Sequence, residues 1–152
     1  MKSVTSSWKE CIVSYDKTME DGTLKKVKEI YVVPSSTFTE AEACIIEWMG
    51  SYLKLFEVIN INPAVYKEIF FSEDPTADKW YKAKLQFITI DERSEKEKRT
   101  NVYYLVNAPS FEQARRNICE VMDKSMIDYV IAKVEETKII DVYDEPFQST
   151  KS

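Results

Sequence analysis

Two groups of positively charged side chains have the clearest capacity for binding chemistry in this sequence. Each group begins a strand predicted to follow a hairpin turn, so each would stand on a hairpin arm. Ammonium and guanidinium groups held in this way attract phosphates or acidic protein surfaces. Nearby glutamates favour the alternative, in which both arms are solvated and the lysines protect strand edges from aggregation. The two groups are Lys25, Lys26 and Lys28, and Lys96, Lys98 and Arg99.

A second candidate surface is aromatic and lies at the start of two predicted strands. Trp8 and Trp80 each precede an alternating apolar run, and Tyr81, Lys82 and Lys84 follow the second tryptophan. On an open sheet face, aromatic rings beside lysines stack nucleobases, and each stack contributes ~1–3 kcal/mol. We favour the alternative, in which each tryptophan packs under the connector or against the other half of the chain, because large aromatics at such junctions usually form cores or interfaces.

The composition argues against most catalytic chemistry. Histidine is absent, which removes the commonest general base, the usual partner of a serine or cysteine nucleophile and the commonest zinc ligand. Two glycines do not supply a glycine-rich phosphate loop. Cys11, Cys44 and Cys119 are odd in number and lack a CxxC spacing, so neither a disulfide framework nor a zinc knuckle is expected. We therefore predict that the protein is not an enzyme and has no catalytic, cofactor-binding or metal-binding residues.

Charge and hydropathy restrict the partners further. The formal net charge of −5 provides no general basic field, so contact with nucleic acid would depend on a local patch. No apolar run approaches the ~20 residues that span a bilayer, and the first residues lack the charged and apolar segments of a signal peptide. We expect a cytoplasmic protein without a membrane partner.

The elements that would position these side chains recur along the chain. Residues of the first half match residues 72 positions later in the second half, and the separation becomes 73 after one extra residue between Val106 and Ser110. A single gap therefore aligns two halves of the sequence over most of their length. The first offset pairs Trp8 with Trp80, Val13 with Leu85, Tyr31 with Tyr103 and Val33 with Leu105; the second pairs Phe38 with Phe111, Ile45 with Ile118 and Met49 with Met122.

Each half predicts the same order of elements: two strands, a helix and a third strand. Alternating apolar residues indicate half-buried strands, and Thr37 and Ser110 each begin a capping box typical of a helix start. In the third strand of both halves the apolar parity switches midway, which a shared β-bulge would explain. The terminal runs VYKEIFF and KIIDVY either extend the third strand or form a fourth.

One such half has ~70 residues, close to the size at which a single core is marginal, so we expect the two halves to fold together. The predicted fold is α+β: a tandem duplication of a ββαβ unit with pseudo-twofold symmetry, antiparallel sheets and two helices. The sheets would be joined edge to edge or packed face to face. The predicted organisation is a tail at 1–7, a first repeat at 8–71, a connector at 72–79, a second repeat at 80–143 and a flexible tail at 144–152.

The tracts FFSEDPTADKWYKAKLQFITIDE and KEKRTNVYYLV, with the earlier tryptophan strand and the FTEAEA helix, resemble an uncharacterised domain-of-unknown-function family of Bacteroidota and their phages. The resemblance implies a phage-related origin and brings no reaction with it. We predict a small noncatalytic binding or accessory protein whose partner is a protein or a nucleic acid. The alternative is a nucleic-acid-binding module that uses the basic hairpin arms and the strand aromatics. Either reading is compatible with a homodimer.

Overall fold

The computed structural model describes residues 2–144. The predicted flexible tail at 144–152 therefore lies, apart from Asp144, outside the described residues. The described chain contains nine strands and two helices. The strands are β1 (Lys2–Val4), β2 (Trp8–Thr18), β3 (Leu24–Pro34), β4 (Glu57–Ala64), β5 (Glu68–Phe71), β6 (Lys79–Ile90), β7 (Glu97–Ala108), β8 (Tyr129–Glu136) and β9 (Ile139–Val142), and the helices are α1 (Phe38–Gly50) and α2 (Phe111–Asp123).

The predicted α+β class is confirmed, and the chain divides into two compact units. Among the described residues, the first unit contains Ser6–Val65 and the residues from Lys138 onward, and the second contains Tyr66–Thr137 and the residues up to Thr5. The sheet of the first unit has the strand order β4-β2-β3-β9, and that of the second has the order β1-β5-β7-β6-β8. In each sheet the central hairpin is antiparallel, as is the strand that follows the helix.

The sheets are mixed, so the prediction of antiparallel sheets was wrong in one respect. The runs VYKEIFF and KIIDVY provide separate fourth strands, β5 and β9. Strand β5 pairs in parallel with β7 of the second unit, and β9 pairs in parallel with β3 of the first. Each terminal strand thus joins the sheet built mainly from the other half of the sequence. Local sequence patterns predict that a strand exists but not its distant partner, which explains the error.

The residues predicted to be an N-terminal tail also contribute a strand. Strand β1 pairs antiparallel with β5, and Ser3 Oγ donates a hydrogen bond of 2.7 Å to Glu68 Oε2. The prediction of a tail at 1–7 is therefore corrected for Lys2–Val4. A segment of three residues is too short to show the alternation of apolar residues by which a strand is recognised. Its pairing with β5 could be known only from the structure.

The two hairpins differ in register from the sequence alignment by one residue. Cys11 lies opposite Tyr31 in the first hairpin, and Ala83 lies opposite Tyr104 in the second. The position of Tyr31 is therefore matched by Tyr104, not by Tyr103, and the extra residue lies in the hairpin turn rather than after Val106. The difference is important because a shift by one residue moves a side chain to the other face of a sheet.

The predicted β-bulges are confirmed. The register of β2 with β4 shifts between Ile12 and Val13, which leaves Ile59 without an opposite residue. The register of β6 with β8 shifts between Lys84 and Leu85, which leaves Ala132 unopposed. Both shifts re-aim the third strand of the sheet so that its apolar residues return to the helix-covered face.

Each helix begins at the predicted cap. Thr37 Oγ1 accepts a hydrogen bond of 3.1 Å from Glu40 N, and Ser110 Oγ accepts one of 3.2 Å from Gln113 N. These bonds satisfy backbone donors that the helix leaves unpaired at its start. Each helix then covers one face of its own sheet. Neither helix in the described part of the chain combines the length and the apolar character that a bilayer crossing requires.

A separate apolar core lies between the helix and the sheet of each unit. The core of the first unit contains Cys11, Val13, Tyr31, Val33, Ala41, Cys44, Ile45 and Met49. The core of the second contains Phe70, Tyr81, Ala83, Leu85, Tyr104, Val106, Ala108, Ala114, Ile118 and Met122.

Candidate functional site

The structure does not gather either basic group on one face of its hairpin. Lys25 lies opposite Lys17 and Lys26 lies opposite Asp16, so these neighbours point to opposite faces of β3. Lys28 shares the face of Lys26 and is likewise exposed. Alternation along a strand therefore divides the group, and the carboxylate of Asp16 faces its middle lysine.

The second basic group is divided in the same way. Lys98 and Arg99 are consecutive on β7 and thus point to opposite faces, while Lys96 belongs to the preceding turn. The guanidinium of Arg99 is also engaged: its Nε donates to Glu97 Oε2 at 3.0 Å and its Nη1 donates to Gln86 Oε1 at 3.3 Å. The positive charge of Arg99 is therefore partly offset by Glu97, and this arm has less positive charge to offer a phosphate than the sequence suggested.

The strand aromatics do not offer open rings for stacking. Trp8 is 1% exposed, Trp80 is 4% exposed and Tyr81 is 3% exposed. The ring of Trp80 meets that of Phe71 edge-on at 5.5 Å, and Tyr81 belongs to the core of the second unit. Base stacking requires an accessible ring face, and these rings lack one.

Lys82 and Lys84 remain on the sheet face opposite α2, where both are half-buried. The ammonium of Lys82 lies 5.1 Å from the centre of the Tyr103 ring, a cation–π contact within the second unit. The sequence predicted a surface of Trp8, Trp80, Tyr81, Lys82 and Lys84. The structure keeps Lys82 and Lys84 together on one face, but neither tryptophan is exposed beside them.

A different site, which the sequence reasoning missed, lies on the helix-covered face of the first unit. It is a groove of about 460 Å³, within the range of known ligand pockets. The groove is open to solvent at the end of α1, where Tyr52 is 74% exposed. We call it the aromatic groove; it is lined by Tyr15, Glu29, Tyr31, Trp48, Met49, Tyr52, Leu53, Ile140 and Asp141.

Strand alternation places the side chains that form the sheet side of the groove. Tyr15 on β2 and both Glu29 and Tyr31 on β3 lie on the face that α1 covers, because they share the parity of Cys11 and Val13. The parallel pairing of β9 with β3 sets Asp141 beside Tyr31 on that same face. The carboxyl group of Asp141 therefore reaches this site only because β9 joins the first sheet.

The end of α1 forms the opposite wall. Trp48 and Met49 belong to its last turn, and the chain then turns so that the amides of Tyr52 and Leu53 both donate to the Met49 carbonyl, at 3.0 and 2.8 Å. The side chain of Trp48 packs against the core between α1 and the sheet. The helix stop thus leaves the side chain of Tyr52 at the mouth of the groove.

The rings contact one another edge to face, which fixes the wall. The centre of the Trp48 ring lies 5.2 Å from that of Tyr31 at an interplanar angle of 73°, and also 5.2 Å from that of Tyr143 at 67°. Such contacts contribute ~0.5–1.5 kcal/mol beyond the burial of apolar area. The indole is therefore held between two phenol rings rather than being free to rotate.

Two acidic side chains give the groove its electrostatic character. Tyr31 donates its phenol hydrogen to Glu29 Oε1 at 2.9 Å. Burial, followed by the hydrogen bond with Glu29, raises the pKa of Tyr31 above its ordinary value, and the same two causes raise the pKa of Tyr15. Both phenols therefore stay protonated at neutral pH and can donate to the carboxylate between them.

Asp141 is the second acid, and its environment disfavours the charged form. The residue as a whole is exposed, but atoms packed around the carboxyl group raise its pKa above the ordinary value. The bond from Val142 N to Asp141 Oδ1, 2.8 Å long, opposes this shift, and Asp144 adds to it. The described lining of the groove contains no lysine or arginine that would compensate the two acids.

A second cleft adjoins the aromatic groove and shares Tyr15, Tyr52 and Leu53 with it. It encloses about 620 Å³ and passes along β2 where pairing with β4 ends, at Ser14 opposite Glu57. Beyond Ser14, the described part of the chain pairs with β2 on one side only. We call it the edge cleft; it is lined by Ser14, Tyr15, Asp16, Leu24, Lys26, Tyr52, Leu53, Lys54, Leu55, Phe56 and Glu57.

Cys11 and Cys44 are not activated for chemistry. Burial raises the pKa of Cys11 to about 12 and that of Cys44 to about 11, so both remain thiols at neutral pH. Within the described residues, no three cysteine, aspartate or glutamate side chains approach closely enough to hold a metal ion. The chemistry that the aromatic groove offers is recognition by rings and carboxylates.

A comparison of the two halves of the sequence could have indicated the groove. At the positions of Tyr15, Glu29 and Trp48, matched by hairpin register and helix start, the second half has apolar residues, namely Phe87, Val102 and Val121. Polar aromatic and acidic residues in one half only are a signal of specialisation. The sequence alignment concealed it because, with the gap placed after Val106, Glu29 was matched with Asn101.

The chain is an α+β protein with two mixed sheets, each covered by one helix, and with the aromatic groove in its first unit. The chain belongs to the family described as a domain of unknown function, DUF4494, which matches residues 7–145. This confirms the expectation of an uncharacterised domain family. No curated protein matches the chain.

Proposed function

We propose that this protein is a small noncatalytic binding protein and that the aromatic groove is where its partner docks. The observation that carries the proposal is the combination of rings and carboxylates in one open groove of the first unit. Aromatic side chains provide large contact areas at a low cost in side-chain entropy, and they dominate the binding energy of most interfaces.

The exposure of apolar side chains around the groove supports the same function. Tyr52 is 74% exposed, Leu55 is 88% exposed and Leu24 is 68% exposed, and all three line the edge cleft. Leaving large apolar side chains in water forgoes ~1.5–3 kcal/mol each relative to burial. Contiguous exposure of this kind is typical of surfaces that become buried against a partner.

The position of Asp141 also supports a binding role. A carboxyl group whose charged form is disfavoured in the folded protein weakens folding at neutral pH. Such groups concentrate at functional sites, where a ligand provides the missing compensation. A partner with positive charge would supply it here.

We also propose that the two halves of the chain descend from one duplicated ββαβ unit. The matched hairpin registers, the matched bulges at Ile59 and Ala132 and the matched caps at Thr37 and Ser110 support this origin. After a duplication, one copy can keep a purely structural role while the other acquires a site. The groove in the first unit fits that outcome.

Affinity capture from cells that make the protein naturally tests the proposed function. The groove variant is Tyr52→Ala, an exposed position at the mouth of the aromatic groove where substitution leaves the core intact. The matched control is Ile90→Ala, a residue of the second unit that is 71% exposed. We expect a partner that the wild type and the control retain and that the groove variant loses. Equal retention by all three proteins would contradict the proposal.

A further inference from the structure

We infer that the aromatic groove receives the ammonium group of a lysine side chain carried by a partner polypeptide. The inference rests on the proposed function and specifies the chemistry of the occupant. Three features of the chain carry it: the composition of the groove, the corresponding position in the second unit, and the apolar part of the lining.

The composition of the groove fits a cation. A positive charge is attracted to the face of an aromatic ring, by ~0.5–1 kcal/mol at exposed sites and more where water is excluded. The groove offers the rings of Trp48, Tyr15 and Tyr52, none of which is buried, for such a contact. Glu29 and Asp141 are available for a charge-assisted hydrogen bond. Tyr31 engages one oxygen of Glu29, and an ionised carboxylate keeps further acceptor sites.

The second unit contains a cation at the corresponding place. The ammonium of Lys67 lies 5.2 Å from the centre of the Phe87 ring. Phe87 and Tyr15 occupy the same place in their hairpins, opposite Thr100 and Val27. In the second unit, therefore, the chain itself provides an ammonium over this ring.

In the first unit that position holds an isoleucine instead. Lys67 immediately precedes Glu68, which pairs with Tyr104, and Ile140 immediately precedes Asp141, which pairs with Tyr31. Ile140 thus stands where the second unit has Lys67. The next residue is acidic in both units, Asp141 in the first and Glu68 in the second. The rings and carboxylates of the first unit are left for an ammonium from another molecule.

The apolar part of the lining matches the stem of a lysine. Leu53 and Ile140 line the groove beside the acids and keep exposed surface, so an alkyl chain can lie on them while its charged end reaches the carboxylates. A small ammonium ion would lack these contacts. The net charge of −5 attracts positively charged partners over longer distances.

Nuclear magnetic resonance of the Trp48 indole tests the inference with small probes on the full chain. The probes are N-acetyl-lysine methylamide, the corresponding arginine compound, and the norleucine compound, which keeps the alkyl stem without the ammonium. The signal is assigned by its absence in Trp48→Phe. We expect the lysine probe to shift it with a dissociation constant at least tenfold below that of the norleucine probe and also below that of the arginine probe.

Charge-neutral variants complete the test. Asp141→Asn should weaken binding of the lysine probe about tenfold, whereas Glu92→Gln, which removes the same charge from an exposed turn of the second unit, should leave it unchanged. Equal affinity for the lysine and norleucine probes would overturn the inference, as would equal losses in the two variants. Tighter binding of the arginine probe would replace lysine with a guanidinium ligand.

The failure of this inference can be distinguished from failure of the proposed function. If partner capture is lost in Tyr52→Ala but is unaffected by Asp141→Asn and Glu29→Gln, the groove binds a partner through other chemistry and the lysine assignment is wrong. If the groove variant captures the partner as well as the wild type does, the proposed function itself fails.

Discussion

The phenol of Tyr31 donates a hydrogen bond of 2.9 Å to the carboxylate of Glu29, two residues earlier on the same strand. Both side chains lie on the helix-covered face of β3, and the centre of the Tyr31 ring also lies 5.2 Å from that of the Trp48 ring. This small unit of acid, phenol and indole is the centre of the aromatic groove.

Removing the hydroxyl group of Tyr31 should weaken folding. Hydrogen bonds to charged groups contribute about 1.5–3 kcal/mol, and Tyr31→Phe should lose an amount at the lower end because Glu29 is in part solvated. Urea unfolding measures this loss. Tyr104→Phe is the matched control, because Tyr104 occupies the same hairpin position in the second unit and Val102 stands where Glu29 would be. A loss as large in the control would show that the bond with Glu29 is unimportant.

Binding of the lysine probe should depend on pH through Asp141. Its carboxylate must be ionised to attract an ammonium, and burial raises its pKa above the ordinary value. Affinity should therefore decline as the pH falls, starting at a higher pH than an ordinary aspartate would give. Titrations of the wild type and Asp141→Asn across the acidic range measure this. An identical pH profile in the two proteins would exclude Asp141 from the site.

The same pKa shift predicts how Asp141 affects folding. A carboxyl group with a higher pKa in the folded chain adds stability below its unfolded pKa, and this contribution is lost as the pH rises through the folded pKa. At neutral pH, Asp141→Asn should thus have a higher free energy of unfolding than the wild type. The difference should disappear below about pH 4, the ordinary value for aspartate. Denaturant unfolding at neutral pH and below about pH 4 measures the free energy of unfolding of both proteins. A variant that is less stable than the wild type at neutral pH would contradict this prediction.

Strand β9 should be required for the first unit. A chain that ends at Lys138 loses the buried side chains Ile139 and Val142, worth about 1.5–3 kcal/mol each, as well as Asp141. We expect faster hydrogen exchange in β3 and no lysine-probe binding. A chain that ends at Asp144 keeps every described strand and is the control. Unchanged exchange in β3 after the shorter truncation would mean that β9 does not stabilise the sheet.

The basic hairpin arms should not bind nucleic acid strongly. Strand alternation divides each group between two faces, and the tryptophans that would stack bases are buried. Mobility-shift measurements with single-stranded DNA and RNA at low salt should therefore show little binding. Salt-sensitive binding that disappears when Lys25, Lys26, Lys98 and Arg99 are replaced by glutamate would instead support the nucleic-acid-binding alternative.

Much of the local structure could be predicted from the sequence because its determinants are local. The caps at Thr37 and Ser110 depend on residues three positions apart, and the bulges follow from a parity switch within one strand. The hairpins were also predicted, although the turn of the second one contains the extra residue that the alignment placed after Val106.

The parts that could not be predicted depend on distant segments. The parallel pairing of β5 with β7 and of β9 with β3 has no local signature, since any exposed sheet edge would accept either strand. The aromatic groove is assembled from β2, β3, α1 and β9, so it could not be recognised before the partner of β9 was known. Tyr15 and Trp48 lie on the helix-covered face of β2 and on the sheet-facing side of α1, where local patterns indicate burial and not a groove.

The most direct test of the central claim is the affinity of the lysine probe for Ile140→Lys, with Ile140→Met as the control at this exposed position. The substitution reproduces in the first unit the lysine that lies over Phe87 in the second. If the groove is a site for an ammonium group, the internal lysine will compete, and the affinity will fall at least tenfold relative to both the wild type and the control. Affinity that is unchanged, or that falls equally in both variants, would contradict the claim.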